Sequence, residues 1–208
     1  MTRSIRLTGT GSAPAIPDVV VARVGVEKRA ADVQSAFAGA GDAARAVVDA
    51  VRAAGVAEAD VATTDLGLQT VETGPWEDRR LEGYSATEAL VLTVRDVADA
   101  ARVLQAVAVA AGDAARIDSV TFALSDGERP AAAAREAAFA DARARAEQYA
   151  ALAGASLGAV LSIVDEPRAA PQREVMFAAR AAPGGGAPAM HAGERTVSAR
   201  VTVEWELG

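Results

Sequence analysis

At 208 residues the chain suits one large domain or two small lobes. Hydrophobic residues make up 51% but aromatics only 4%, so the core must be built mainly from Val, Leu and Ala. A net charge of −7 argues against general nucleic-acid binding, which needs a basic surface to neutralise phosphates. With no Cys, disulfides, thiolate metal sites and a Cys nucleophile are excluded. No apolar run approaches the roughly 18–20 residues that span a bilayer. Residues 1–15 carry Arg3 and Arg6 without an apolar signal-peptide core, so the chain reads as cytoplasmic. The periplasm or cell envelope is the alternative, if a leader was removed.

Ile5 and Leu7 alternate with Arg6 and Thr8 and predict a short strand, followed by Gly9 and Gly11. Pro17-Asp18 opens a second strand, with Val20, Ala22, Val24 and Val26 facing one way. A helix is expected over 31–54, its stripe formed by Val33, Phe37, Val47, Val48 and Val51 with Ala40 and Ala44 between. Gly39 and Gly41 inside it suggest a bend or a close approach, and Gly55 suits its C-terminal cap. Leu66, Leu68 and Val71 suggest a third strand, and Gly74-Pro75 a turn. A longer strand over 81–95 places Tyr84, Ala86, Leu90, Leu92 and Val94 on one face, interrupted by Glu88. Asp96 is an N-cap for a second helix presenting Val97, Leu104 and Val107. A strand over 117–124 follows, then Ser125-Asp126 as the cap of an Ala-rich third helix that carries Pro130 in its first turn and ends at Gly154. Residues 157–164 read as strand. Residues 165–193, rich in Pro and Gly, read as a mobile loop with a short strand near 174–178. The closing strand alternates most clearly, with Val197, Ala199, Val201, Val203, Trp205 and Leu207 on one face. The order ββα-ββα-βα-β, a loop and a last strand predicts an α+β fold, with three helices packed on mainly antiparallel sheet.

Motifs that carry chemistry are few. Gly9-x-Gly11 fails as a dinucleotide loop, because Pro14 holds the third glycine position and a strand follows where a helix should start. A bulge or turn needing positive φ is the expected reason for these glycines. His191 is the single His and lies in the Pro/Gly-rich loop, so neither a Ser-His-Asp triad nor a His-rich metal site is expected. No catalytic residue, cofactor or metal ligand is assigned. Asp141–Arg145 and Arg143–Glu147 are i,i+4 pairs, read as a solvated helix face or a salt-bridged subunit contact. Asp18 reads as a turn or capping residue, or as part of a subunit contact. Trp76 beside the turn, and Met176 with Phe177 in the loop, are candidate partner contacts.

Six segments in order carry a family resemblance: IRLTGTGSAPAIPDVVVARVGVE (5–27), AAGVAEADVATTDLGLQ (53–69), GYSATEALVLTVRD (83–96), IDSVTFALSD (117–126), ADARARAEQYAALAGASLGAVLSI (140–163) and VSARVTVEWEL (197–207). Together they resemble the SIMPL family of bacterial proteins, which includes periplasmic immunogenic proteins. The resemblance implies a two-lobed α+β fold, with lobe one over about 1–80 plus 155–208 and lobe two over about 81–154. It further implies a tendency to form rings or larger homo-oligomers, no established catalytic activity, and links to envelope biology or stress tolerance. The expected function is therefore a non-enzymatic interaction protein whose partner is itself. A module for a small apolar ligand or peptide is the first rival, and a carboxylate-dependent enzyme the second.

Overall fold

A computed structural model describes residues 3–166 and 192–208. The loop expected over 165–193, with its strand at 174–178, Met176, Phe177 and His191, lies almost wholly outside the described residues. In chain order the elements are β1 (Ser4–Ala15), β2 (Val19–Ala30), α1 (Val33–Ala53), β3 (Val61–Thr73), β4 (Arg80–Val94), α2 (Ala100–Ala111), β5 (Ala115–Ala123), α3 (Glu128–Leu152), β6 (Leu157–Asp165) and β7 (Arg195–Leu207). The expected order of strands and helices is observed, and the class is α+β.

The strands form two antiparallel sheets, ordered β1-β7-β6 and β3-β4-β2-β5. The chain divides accordingly. One unit holds residues 17–125; the other holds the described parts of 1–16, 126–166 and 193–208. These boundaries differ from the expected lobes. β4 hydrogen-bonds to β3 on one side and β2 on the other, so 81–94 cannot separate from what precedes it. The third helix belongs with the first and last strands.

In the unit of residues 17–125, α1 and α2 cover one face of the four-stranded sheet. Val20, Ala22, Val24 and Val26 of β2 and Ala86, Leu90, Leu92 and Val94 of β4 point into that layer and are almost fully buried. Each buried Val or Leu contributes about 1.5–3 kcal/mol of transfer free energy. Along α1 the buried positions are Ala36, Ala40, Ala44, Val47 and Val51. Val33 and Phe37, expected in the stripe, are exposed, Phe37 by 55%. Phe37 follows Ala36 and so lies about 100° further round the helix. The sheet selects the small-residue line, which lets the helix sit close. Neither interior glycine is demanded by a neighbour: a Cβ on Gly39 would meet Lys28 at an ordinary 3.6 Å, and one on Gly41 would meet nothing within 4 Å. Gly55 ends α1 with a φ of 93°, as its capping role requires.

In the other unit, α3 lies on β1 and β7. Ala131, Ala134, Ala138, Ala142, Ala146 and Ala150 form its buried seam. β1 is one continuous strand through Gly9 and Gly11, neither of which has positive φ, so the expected bulge or turn is absent. The reason for both glycines is proximity. A Cβ on Gly9 would stand 2.1 Å from the Ala138 carbonyl oxygen, and one on Gly11 2.3 Å from that of Ala134. Helix backbone rests almost directly on strand backbone. Ile5 and Leu7 pair with Trp205 and Val203 across the ladder, and Trp205 packs against Phe139 with ring centroids 6.2 Å apart.

Candidate functional site

The charged run on α3 separates into two pairs with different surroundings. Arg143 Nε donates to Glu147 at 2.8 Å, and both side chains are exposed. Asp141 instead accepts from the Thr10 backbone N–H at 2.9 Å and from Arg145 Nε at 3.0 Å, while Arg145 Nη1 donates to the Thr8 carbonyl at 3.1 Å. These two residues satisfy polar groups on the outer edge of β1, which among the described residues pairs only with β7. That restrains the edge from recruiting another strand. The Thr10 amide, helped by Arg145, holds the Asp141 carboxyl below the usual carboxylate range despite partial desolvation. Because the folded value is depressed, the contribution is fully present above the ordinary value near about 3.9 and is lost as pH falls through the lower folded value. In a titration followed by NMR, the Asp141 carboxyl should therefore protonate below that range, and the Thr10 amide should lose protection from exchange in step. An ordinary Asp141 midpoint would disprove the contact.

The face of the three-stranded sheet away from α3 carries a polar ladder that periodicity alone did not single out. Ser4 Oγ and Arg6 Nη2 donate to the two oxygens of Glu204 at 2.8 and 2.6 Å. Arg6 and then Ser4 hold Glu204 below the ordinary range. Further along, Thr8 and Thr202 hydroxyls lie 2.7 Å apart, and Thr202 donates to Glu166 at 2.7 Å. The signal was the polar half of each alternation, legible only once the register Arg6↔Glu204 and Thr8↔Thr202 is known.

Within residues 17–125, Asp60 is the one buried carboxylate among the described residues. It is held bidentately by Arg95, with Nε and Nη2 donating at 2.6 and 2.7 Å, and that bond keeps it ionised below the usual range. The pair lines a shallow hollow of about 230 Å³ together with Val56, Asp96, Asp99 and Val103. Sequence reasoning missed it, since the two residues lie 35 apart. A second network joins Glu27 to Arg29 at 3.0 Å, Ser85 at 3.0 Å and Arg116 at 3.0 Å. Asp18 neither caps a helix nor closes a local turn; its carboxylate accepts from the backbone N–H of Ser125 at 2.7 Å and from the Ser125 hydroxyl. Gly127 holds the N-cap position of α3, and the Asp126 carboxylate just ahead of it accepts from Glu128 N at 2.9 Å.

Trp76 is 81% exposed, with the Arg79 guanidinium stacked 4.3 Å from its ring centre. It belongs to residues 17–125, and the four charged residues of α3 to the other unit, so neither unit holds all five. Exposed apolar side chains concentrate on edge strands. β6 shows Val160, Leu161, Ile163 and Val164, and β3 shows Leu66 and Leu68. Ile163 pairs with buried Val203 yet is 58% exposed, because α3 is centred over β1 and β7. Among the described residues no group of three or more His, Asp or Glu side chains could hold a metal ion, and no helix is long and apolar enough to cross a membrane.

Two antiparallel sheets, each covered on one face by Ala-rich helix, define an α+β protein of two sheet-and-helix units. The chain belongs to the SIMPL family, described as a protein of unknown function (DUF541), whose profile matches residues 5–205. It is similar to the 26 kDa periplasmic immunogenic protein of Brucella melitensis biotype 1 and to that of Brucella abortus strain S19. Each is 28% identical over 225 residues, covering 98% of this chain and 84% of the relative. These relatives overturn the cytoplasmic expectation: both are periplasmic proteins by name, which fits the alternative placement.

Proposed function

We propose that the chain is a non-enzymatic, homo-oligomeric interaction protein of the periplasm that serves the cell envelope. The observation that carries this reading is β6. Its outer edge has no strand partner among the described residues, and it presents Val160, Leu161, Ile163 and Val164 to solvent with Asp165 as its single charge. Soluble proteins ordinarily blunt such an edge with charge, proline or a covering element, as Asp141 and Arg145 do for β1. An edge left apolar suits association with another copy.

Light scattering at micromolar concentration tests it. The native chain should exceed the monomer mass of 21.1 kDa, and Ile163→Lys should shift the population toward monomer without unfolding it. A strictly monomeric native chain would end the proposal.

The rival reading, a small apolar ligand or peptide module, draws support from Trp76. Its exposed ring, backed by Arg79, has the character of a partner anchor. The layer between the four-stranded sheet and its helices offers such a ligand little room, since Val20, Val24, Val47, Val51 and Leu92 are fully buried there. The carboxylate-enzyme reading would need two buried acids in one cleft. Among the described residues Asp60 is the single buried acid, and Arg95 engages both its oxygens.

A further inference from the structure

We propose that Asp18 and Ser125 form a clasp that pins together the two points at which the chain leaves residues 17–125. The described chain passes from one unit to the other between 16 and 17 and again between 125 and 126, with a further passage between 192 and 193 beside the undescribed residues. Asp18 stands one residue inside the first passage, and Ser125 is the last residue before the second. Two separate sequence features, Pro17-Asp18 and Ser125-Asp126, are thus brought together across 107 residues of chain.

Three hydrogen bonds make the connection. The Asp18 carboxylate accepts from Ser125 N at 2.7 Å and from Ser125 Oγ, and the Asp18 N–H donates to the Ala123 carbonyl at 3.0 Å. They extend the β2–β5 ladder, whose last pair is Val19↔Ala123, to the outermost residues of the unit. A turn-forming Asp bonds its own backbone two residues on; this one bonds the other passage instead. Both flanks are constrained as well. Buried Pro17 fixes its own φ just ahead of Asp18, and Asp126, next after Ser125, accepts from the Glu128 N–H that opens α3. The ends of β2 and β5 therefore cannot splay apart while the clasp is closed. Asp18 is a positioning residue for the chain segments that leave the unit.

Amide hydrogen exchange followed by NMR tests the clasp. Asp18→Ala should speed Ser125 amide exchange by about tenfold, and should also speed exchange of the residue-18 amide, whose bond to the Ala123 carbonyl the substitution leaves intact, with the circular dichroism spectrum unchanged. Asp18→Asn and Ser125→Ala, each keeping part of the clasp, should fall between; they also decide the question if Asp18→Ala does not fold. Faster Ser125 exchange with an unchanged residue-18 amide would overturn the proposal, leaving only a single side-chain contact. Unchanged Ser125 exchange would overturn it too, since the clasp would then not exist.

Discussion

Gly9→Ala should destabilise the three-stranded unit by about 3 kcal/mol or more, although it adds a single methyl group. The new Cβ would stand 2.1 Å from the Ala138 carbonyl oxygen, 2.6 Å from Ala142 N and 2.7 Å from Ala142 Cβ. Two of these are backbone atoms in mid-helix, and no rotamer change moves them aside. The helix must lift, and lifting it opens the alanine seam from Ala134 to Ala146 and loosens the Phe139–Trp205 contact together. Over-packing of a tight interface typically costs about 1–3 kcal/mol, more when the obstacle is backbone. The lower unfolded-state entropy of alanine offsets only about 0.4–1 kcal/mol. Urea denaturation read by circular dichroism checks this: the midpoint of the three-stranded unit's transition should fall. Gly41→Ala is the internal control. Its Cβ meets nothing within 4 Å in mid-helix, so it should stabilise by about 1 kcal/mol. A Gly9→Ala midpoint at or above the native one would refute the close approach.

Trp205→Ala should cost about 3–5 kcal/mol, the range for deleting a large buried aromatic. Trp205 is 2% exposed on the central strand β7, opposite Ile5 and tilted against Phe139. Neighbours on three elements would lose contacts at once, and α3 cannot collapse into the space while its backbone is held at Gly9 and Gly11. Trp76→Ala should change stability by less than about 0.5 kcal/mol, because that ring is exposed. Calorimetry distinguishes the two, since with two units the chain need not melt in one step. Trp205→Ala should lower the transition of the three-stranded unit and leave that of 17–125 near its native temperature. Equal effects from the two tryptophans would contradict the burial assignment.

Much of this was legible beforehand, and the reasons are local. The alternation from Val197 to Leu207 marked β7 and its inward face, because side chains on a strand alternate whatever lies beside it. Gly55 and Asp126 marked helix ends because caps act over two or three residues. The i,i+4 pairs on α3 formed because helix geometry brings them together unaided. Family membership was readable too, from six segments spread along the chain. The candidate site was harder to read. Trp76 and the two ion pairs occupy exposed positions, but nothing local showed that Asp141 and Arg145 reach across to β1.

The sequence by itself determined the kinds of element, their order, most of their inward faces and the family, all properties of periodicity and short-range geometry. Only the tertiary structure decided which strands share a sheet. β1 and β2 are neighbours in sequence, yet β1 pairs with β7 at the far end of the chain. It decided that Val33 and Phe37 lie off the line of Ala36, Ala40, Ala44, Val47 and Val51 that meets the four-stranded sheet, and that Gly9 and Gly11 exist for a helix more than a hundred residues away. It decided that Asp18 bonds Ser125 and that Asp60 bonds Arg95. These contacts share one physical cause. Each depends on how closely two distant backbones approach, and approach distance is set by packing of the whole layer, which no window of neighbouring residues encodes.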